Sequence, residues 1–192
     1  PNLIDYTFAA IIEGAEAEIR RQGYFLISAS APDAASFAAL VEQLIASRRT
    51  EGLLVINPYA DERYRHLPPA FPAVFIGAHP RSEPVDSVTL DDEGAARCAT
   101  RYLLEIGHRR IALISGPPEE DCVRDRLRGY EDALGIAGLP FDPALVVTGD
   151  WSATSGHDAL MHLVHEGLLP GAVFAMNDRM ALGAIRAARD QG

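Results

Sequence analysis

The chain is poor in the residues on which several large function classes depend. It has only two cysteines, Cys98 and Cys122, far apart and without a CxxC or a paired histidine motif. That leaves neither a zinc-finger pattern nor a disulfide framework, and the reading expects reduced thiols in a cytoplasmic protein. Basic residues are in deficit, 17 Lys and Arg against 27 Asp and Glu, for a formal charge of −10. A surface of that sign repels phosphate backbones, so this segment is not expected to grip nucleic acid itself. No apolar run approaches the ~18 residues of a membrane span, and no charged-then-apolar leader opens the chain, so no membrane partner is expected. Glycine-rich cofactor signatures are missing too. No GxGxxG follows a strand, no Walker loop is present, and Ser155-Gly156 lacks the preceding glycine of a nucleophile elbow. An enzyme is therefore not expected, nor a cofactor. Aromatic residues are sparse, and there is one tryptophan, Trp151.

What is present is an alternation of helical and strand patterns. Hydrophobic residues make up 48% and charged residues 23% of 192 residues, ordinary for a folded globular chain. Phe8, Ile11, Ile12, Ala15 and Ile19 recur at helical spacing and stop at Gly23. Tyr24 to Ser28 reads as a buried strand, Phe37, Leu40, Val41, Leu44 and Ile45 as the face of a second helix, and Leu53 to Ile56 as the next strand, a βαβ unit. Short strands are expected at Ala73 to Ile76 and Val85 to Leu90. The pattern then starts over: a helix with Ala95, Ala96, Ala99, Leu103 and Ile106 ending at Gly107, strand Ile111 to Ile114, a helix across Asp125 to Ala137, strand Leu145 to Val147, a helix from Thr154, strand Ala172 to Ala175, and a helix from Asp178. This predicts an α/β protein of two lobes, 1–90 and 91–192, each a parallel sheet flanked by helices. Pro1-Asn2 leads directly into a helix where a βα unit is expected to begin with a strand, and the last helix stops at Gly192. The reading therefore expects a piece of a longer polypeptide.

The second half carries the chemistry. Three apolar runs each end in a small polar cluster: Ser115-Gly116-Pro117-Pro118, Gly149-Asp150-Trp151-Ser152 and Asn177-Asp178. Parallel sheets bind ligands beyond the carboxyl ends of their strands, so these clusters outline a pocket. A flat aromatic, a guanidinium and an amide beside a carboxylate suit holding a small polyhydroxylated or anionic molecule. Each has a plainer role as well. Arg124 to Arg128 also reads as a solvated helix face with i,i+4 pairs. Trp151, at a strand end between Asp150 and Ser152, is expected to expose its ring. Asn177 and Asp178 are both strong N-cap residues, and Asp178 is expected to cap the last helix whatever Asn177 does. His162 and His165 have metal-ligand spacing, but no third ligand converges, so a surface face is expected and no metal site.

His108 to Pro117, Arg126-Leu127-Arg128-Gly129-Tyr130, Gly149 to Gly156 and Phe174 to Ala184 together resemble the effector-binding core of the lactose-repressor (LacI/GalR) family of bacterial transcription regulators. The first lobe is similar more loosely, through Phe8-Ala9, Gly14, Gly23-Tyr24, Gly52 to Val55 and Val88 to Asp92. The resemblance implies a two-lobed periplasmic-binding-protein-like fold of type I around an effector cleft, a homodimer, and operator DNA bound through an amino-terminal helix-turn-helix headpiece that this chain lacks. It implies effector contacts at Arg126, Trp151, Asn177 and Asp178 from the second lobe and at Thr7 and Phe8 from the first. The expected effector is a sugar, a sugar phosphate or a purine. Two departures stand out: Asp5-Tyr6-Thr7-Phe8 replaces the family's Asn-Pro-aromatic-aromatic run, and Gly77-Ala78-His79 stands where many members place an aspartate. The alternative reading is the solute-binding protein of a sugar ABC transporter, which shares the fold.

Overall fold

The computed structural model describes residues 6–57, 62–77 and 85–191. Asp5, Ala78 and His79, at the two departures noted above, lie outside them. The chain divides into two compact units, 1–89 and 90–192, each built from its own parallel sheet.

The first unit contains α1 (Tyr6–Arg21), α2 (Ala34–Ala46), β1 (Leu53–Asn57), β2 (Ala73–Gly77) and β3 (Asp86–Val88), with a 3-10 turn at Glu62–His66. Asp33 caps α2 by accepting the Ser36 N–H at 2.7 Å, and α1 ends where Gly23 adopts φ +84°, a conformation glycine takes without steric cost. The sheet order is β1-β2-β3, with Val55 opposite Phe75 and Val74 opposite Asp86. Phe37, Val41, Val55 and Phe75 form a small core. Arg63 reaches across to it, donating to the Ala31 and Pro32 carbonyls at 3.1 and 3.3 Å with its guanidinium over the Phe37 ring.

Two strand expectations are corrected in this unit. Tyr24 to Ser28 is not a strand: it joins no ladder among the described residues, Phe25 is 91% exposed and Ile27 67%. The βαβ unit read there consequently lacks its first strand. Leu26 to Ala31 instead help wall an apolar groove of about 510 Å³ with β1 and the inner faces of α1 and α2. An apolar run states only that burial would be favourable; a strand also needs a partner edge at hydrogen-bonding distance. The last strand is shorter than Val85 to Leu90, because only Asp86 to Val88 face β2 and Asp91 must already turn to cap the next helix.

The second unit runs α3 (Asp92–Glu105), β4 (Ile111–Ser115), α4 (Asp121–Ile136), β5 (Val146–Thr148), α5 (Ala153–His165), β6 (Ala172–Ala175) and α6 (Asp178–Asp190). β4 is central, in the order β5-β4-β6, with Leu113 opposite both Val146 and Phe174. All five β4 residues are buried, which matches an uninterrupted apolar run flanked on both faces. α3 packs on α4 and α5 on α6. Tyr130, fully buried, donates its hydroxyl to the Ile111 carbonyl at 2.8 Å and thereby ties α4 to β4. Burial pushes its phenol up to about 12.

Several boundaries differ from expectation, two of them with a clear local cause. α4 begins at Asp121 rather than Asp125, since an acidic residue in the first turn complements the partial positive charge of the helix end. Leu145 belongs to a 3-10 turn, Pro143–Leu145, capped by Asp142, so β5 starts one residue later.

Candidate functional site

The helices α4, α5 and α6 each follow a strand of the second sheet, so their amino-terminal ends are brought to the carboxyl ends of β4, β5 and β6. Their N-cap residues are Glu120, Ser152 and Asn177. Ser152 and Asn177 cap in the ordinary way, accepting the Ser155 N–H at 3.0 Å and the Met180 N–H at 2.8 Å. Glu120 makes no capping bond with its side chain. Its Oε1 instead accepts the indole N–H of Trp151 at 3.0 Å.

Trp151 is the centre of the arrangement. Its φ of +70° is unusual for a bulky residue and costs on the order of 1–2 kcal/mol. The neighbours hold it there: the Asn177 side-chain amide donates to the Trp151 carbonyl at 3.0 Å, while Glu120 holds the indole. The ring lies against Gly116, where any Cβ would collide with it. Glycine at 116 is thus required by the close approach of the indole. The ring is half-buried and packs on the unit's core rather than standing open to solvent, which corrects the expectation of an exposed ring.

Arg126 projects from α4 into the same cluster, its guanidinium carbon 5.8 Å from the centre of the Trp151 ring. Its Nε donates to Asp92 Oδ1 at 2.8 Å, and its Nη1 donates to the Met176 carbonyl at 2.5 Å. The Arg126 and Asp92 side chains are 23% and 13% exposed, so the pair is largely shielded from water. Arg126 therefore does not belong to a solvated helix face. Its neighbour Arg128 does pair along the helix, with Asp125, and also reaches Glu93 at 3.3 Å.

The electrostatics follow from this packing. Burial raises the Glu120 carboxyl above its usual range, against the lowering effect of the Trp151 N–H and the Arg126 charge. Cys122, behind Glu120, has its thiol pushed up to about 11, chiefly by burial. Asp150 moves the other way, to about 2, because the side chains of Ser152 and Ser155 and the Ser152 N–H stabilise its carboxylate.

Arg126, Trp151 and Asn177 thus come together in one cluster, Asn177 through a hydrogen bond to Trp151 and Arg126 through its contact with the indole ring. Asp178 is exposed and is the first residue of α6, not its cap; Asn177, extended at φ −146°, occupies the cap position and performs that role. Thr7 and Phe8 belong to the first unit, in the first turn of α1, where Thr7 is exposed and Phe8 lines the apolar groove. His162 and His165 are exposed on α5. Glu120 and Asp92 were missed as site residues. Glu120 reads locally as a helix-start residue, and Asp92 as one half of an acidic pair after a strand. Only the contacts to Trp151 and Arg126, at long sequence separation, assign them to the cluster.

The arrangement offers a flat ring, a guanidinium, an amide and a half-buried carboxylate at the end of a parallel sheet. It has the character of a binding site. Among the described residues no group of three or more His, Cys, Asp and Glu side chains is placed to hold a metal ion.

Comparison with known proteins gives this geometry its context. The sequence profile of the family described as periplasmic binding proteins and sugar binding domain of LacI family matches residues 3–192. The transcriptional repressor CytR of Escherichia coli K12 is 33% identical over 197 residues, covering 100% of this chain and 57% of that protein. The repressor PurR of Klebsiella pneumoniae MGH 78578 is 33% identical over 192 residues, covering 96% of this chain and 55% of that protein. Among solved structures, the Lac repressor bound to ONPG in its repressed state has a TM-score of 0.88 at 28% identity, covering 100% of this chain and 58% of that one. The CelR–cellobiose complex has a TM-score of 0.83 at 33% identity, covering 96% and 57%. The chain spans somewhat more than half the length of these curated relatives, which are transcriptional regulators and not enzymes. Parallel sheets flanked by helices agree with the periplasmic-binding-protein-like core expected from the motifs. The chain belongs to the family that unites the periplasmic binding proteins with the sugar-binding domain of LacI-type regulators.

Proposed function

We propose that this chain is the effector-binding core of a cytoplasmic, ligand-responsive transcriptional repressor. A small molecule, a sugar or a purine derivative, is held at the strand ends of the second unit, and a DNA-binding headpiece outside residues 1–192 reads the operator. One observation carries the reading: Arg126, Trp151 and Asn177, far apart in sequence, are cross-braced at the carboxyl edge of one sheet. That edge is where open parallel sheets take ligands. Trp151 supplies a face for the apolar side of a pyranose or a base. Arg126, Asn177 and Asp178 supply polar contacts, and Thr7 and Phe8 remain candidate contacts of the first unit by family resemblance. One similar structure supports the sugar class, since it is a cellobiose complex. The relatives do not favour the transporter reading, as they are regulators.

Regulation requires that the ligand change a second equilibrium. In a homodimer with paired headpieces, a coupling of ~1–3 kcal/mol alters operator affinity ~5–150-fold. The test is a thermal-shift screen of neutral sugars, sugar phosphates, nucleobases and nucleosides, with the emission of Trp151 followed in parallel. A ligand that raises the melting temperature and shifts that emission supports the reading. Stabilisation by a ligand that leaves the emission unchanged places binding elsewhere. Light scattering at tens of micromolar checks the dimer.

A further inference from the structure

Three helix ends meet at the site, and such ends ordinarily attract anions through their free N–H groups and partial positive charge. In this chain acidic or capping side chains already stand at those ends. Asp121 occupies the first turn of α4, Ser152 caps α5 while the Asp150 carboxylate accepts the Ser152 N–H, and Asn177 caps α6 with Asp178 in its first turn. The guanidinium of Arg126 is committed as well, to Asp92 and the Met176 carbonyl. The charged side chains held at Trp151 are then Glu120, on the indole N–H, and Arg126, over the ring and paired with Asp92. The balance is negative, so the cation that the family resemblance would offer to an anionic ligand is already neutralised.

We propose that this site takes an uncharged ligand rich in hydroxyl donors and rejects phosphorylated ones, and that Glu120 sets the choice. The inference rests on the reading of the cluster as an effector site and narrows its ligand class. Glu120 occupies a cap position but leaves capping undone; its Oε1 is held by the indole, and its Oε2 lies 3.9 Å from the Cys122 thiol, a weak donor. A half-buried carboxylate, partly stripped of water, gains from ligand O–H donors placed beside the aromatic face. A phosphate monoester carries about −1.5 to −2 charge and only acceptor oxygens. Beside Glu120 it would meet like charge in a half-buried setting.

The chain reports on this directly, because Trp151 is its single tryptophan. The experiment titrates the intact chain and its Glu120→Gln and Glu120→Lys variants with sodium phosphate and with glucose 6-phosphate, following Trp151 emission at constant ionic strength. The wild type is expected to give no saturable response at millimolar concentrations of either probe. Removal of the carboxylate in Glu120→Gln, and reversal of its charge in Glu120→Lys, are expected to tighten binding of both probes at least ~tenfold, about 1.4 kcal/mol. Submillimolar binding of either probe by the wild type overturns the proposal, and so does a pair of folded variants that bind no better than the wild type. Glu120→Gln is nearly isosteric and decides the matter if Glu120→Lys does not fold. Failure of the effector-site reading has a different signature: a ligand from the sugar and nucleoside screen that stabilises the chain without moving Trp151 emission.

Discussion

At the residue scale, Arg126 joins three elements, from α4 to Asp92 at the start of α3 and to the Met176 carbonyl beyond β6. Its role in the empty protein is therefore structural as well. Arg126→Ala would leave the largely buried Asp92 without its cation, and we expect a loss of about 1.5–3 kcal/mol in stability, the range for a hydrogen bond to a charged group. Urea denaturation followed by circular dichroism measures it, and a change below about 0.5 kcal/mol would contradict the bridging role assigned to the pair. The two cysteines separate by environment. Cys98 is exposed, whereas burial pushes the Cys122 thiol to about 11 from an ordinary value of 9.0. At pH 8 a thiol reagent should modify Cys98 promptly and Cys122 only slowly; equal rates would exclude the burial described here. The raised value also fixes a sign. Cys122 favours the folded state below its ordinary value, and this contribution disappears as pH rises through about 11.

At the scale of elements, the second unit depends on close helix approach. A Cβ at Gly183 would collide with the Ala153 carbonyl, one at Gly156 with the Met180 backbone, and one at Gly129 with the Glu93 carbonyl. Small residues at these contacts let α5 and α6, and α3 and α4, pack backbone to backbone. Gly183→Ala gains helix propensity of about 1 kcal/mol at an ordinary helical site. Here it must push α6 away from α5, so overpacking of about 1–3 kcal/mol or more offsets the gain. We expect a lower melting temperature and a displaced Trp151 emission, because α6 carries Asn177 at its cap and Asn177 holds the Trp151 carbonyl. A Gly183→Ala protein as stable as the wild type, with unchanged emission, would refute this packing. The same scale shows why pattern reading succeeded for most helices. Their apolar spacing and their Gly23 and Gly107 stops are local properties of the chain. It failed at Tyr24 to Ser28, whose apolar run identifies a segment that favours burial but cannot supply the neighbouring strand edge.

At the scale of the whole molecule, the two units differ in how much apolar surface they bury. The first has a core of Phe37, Val41, Val55 and Phe75. The second buries all of β4 together with residues from α3, α4, α5 and α6. At about 1.5–3 kcal/mol for each fully buried large aliphatic or aromatic side chain, the second unit should outlast the first. Denaturant unfolding is expected in two steps: an early loss of helical signal, then a later transition reported by Trp151, which belongs to the second unit. A single transition seen identically by both probes would show that the units unfold together.

The alternation of apolar periods and turn residues was enough by itself to determine the α/β class, the parallel sheet of the second half and the clustering of Arg126, Trp151 and Asn177 at its carboxyl edge. These depend on spacing along the chain and on the rule that parallel strands need helical crossovers. The partnerships were decided only in three dimensions. Asp92 neutralises Arg126 across 34 residues and Glu120 holds the indole across 31. Gly116 clears the space that the ring occupies, and Asn177 rather than Asp178 caps α6. A side chain's charge is encoded where it stands in the sequence, but whether that charge is free, paired or desolvated depends on what the packing of distant segments places within about 3 Å of it.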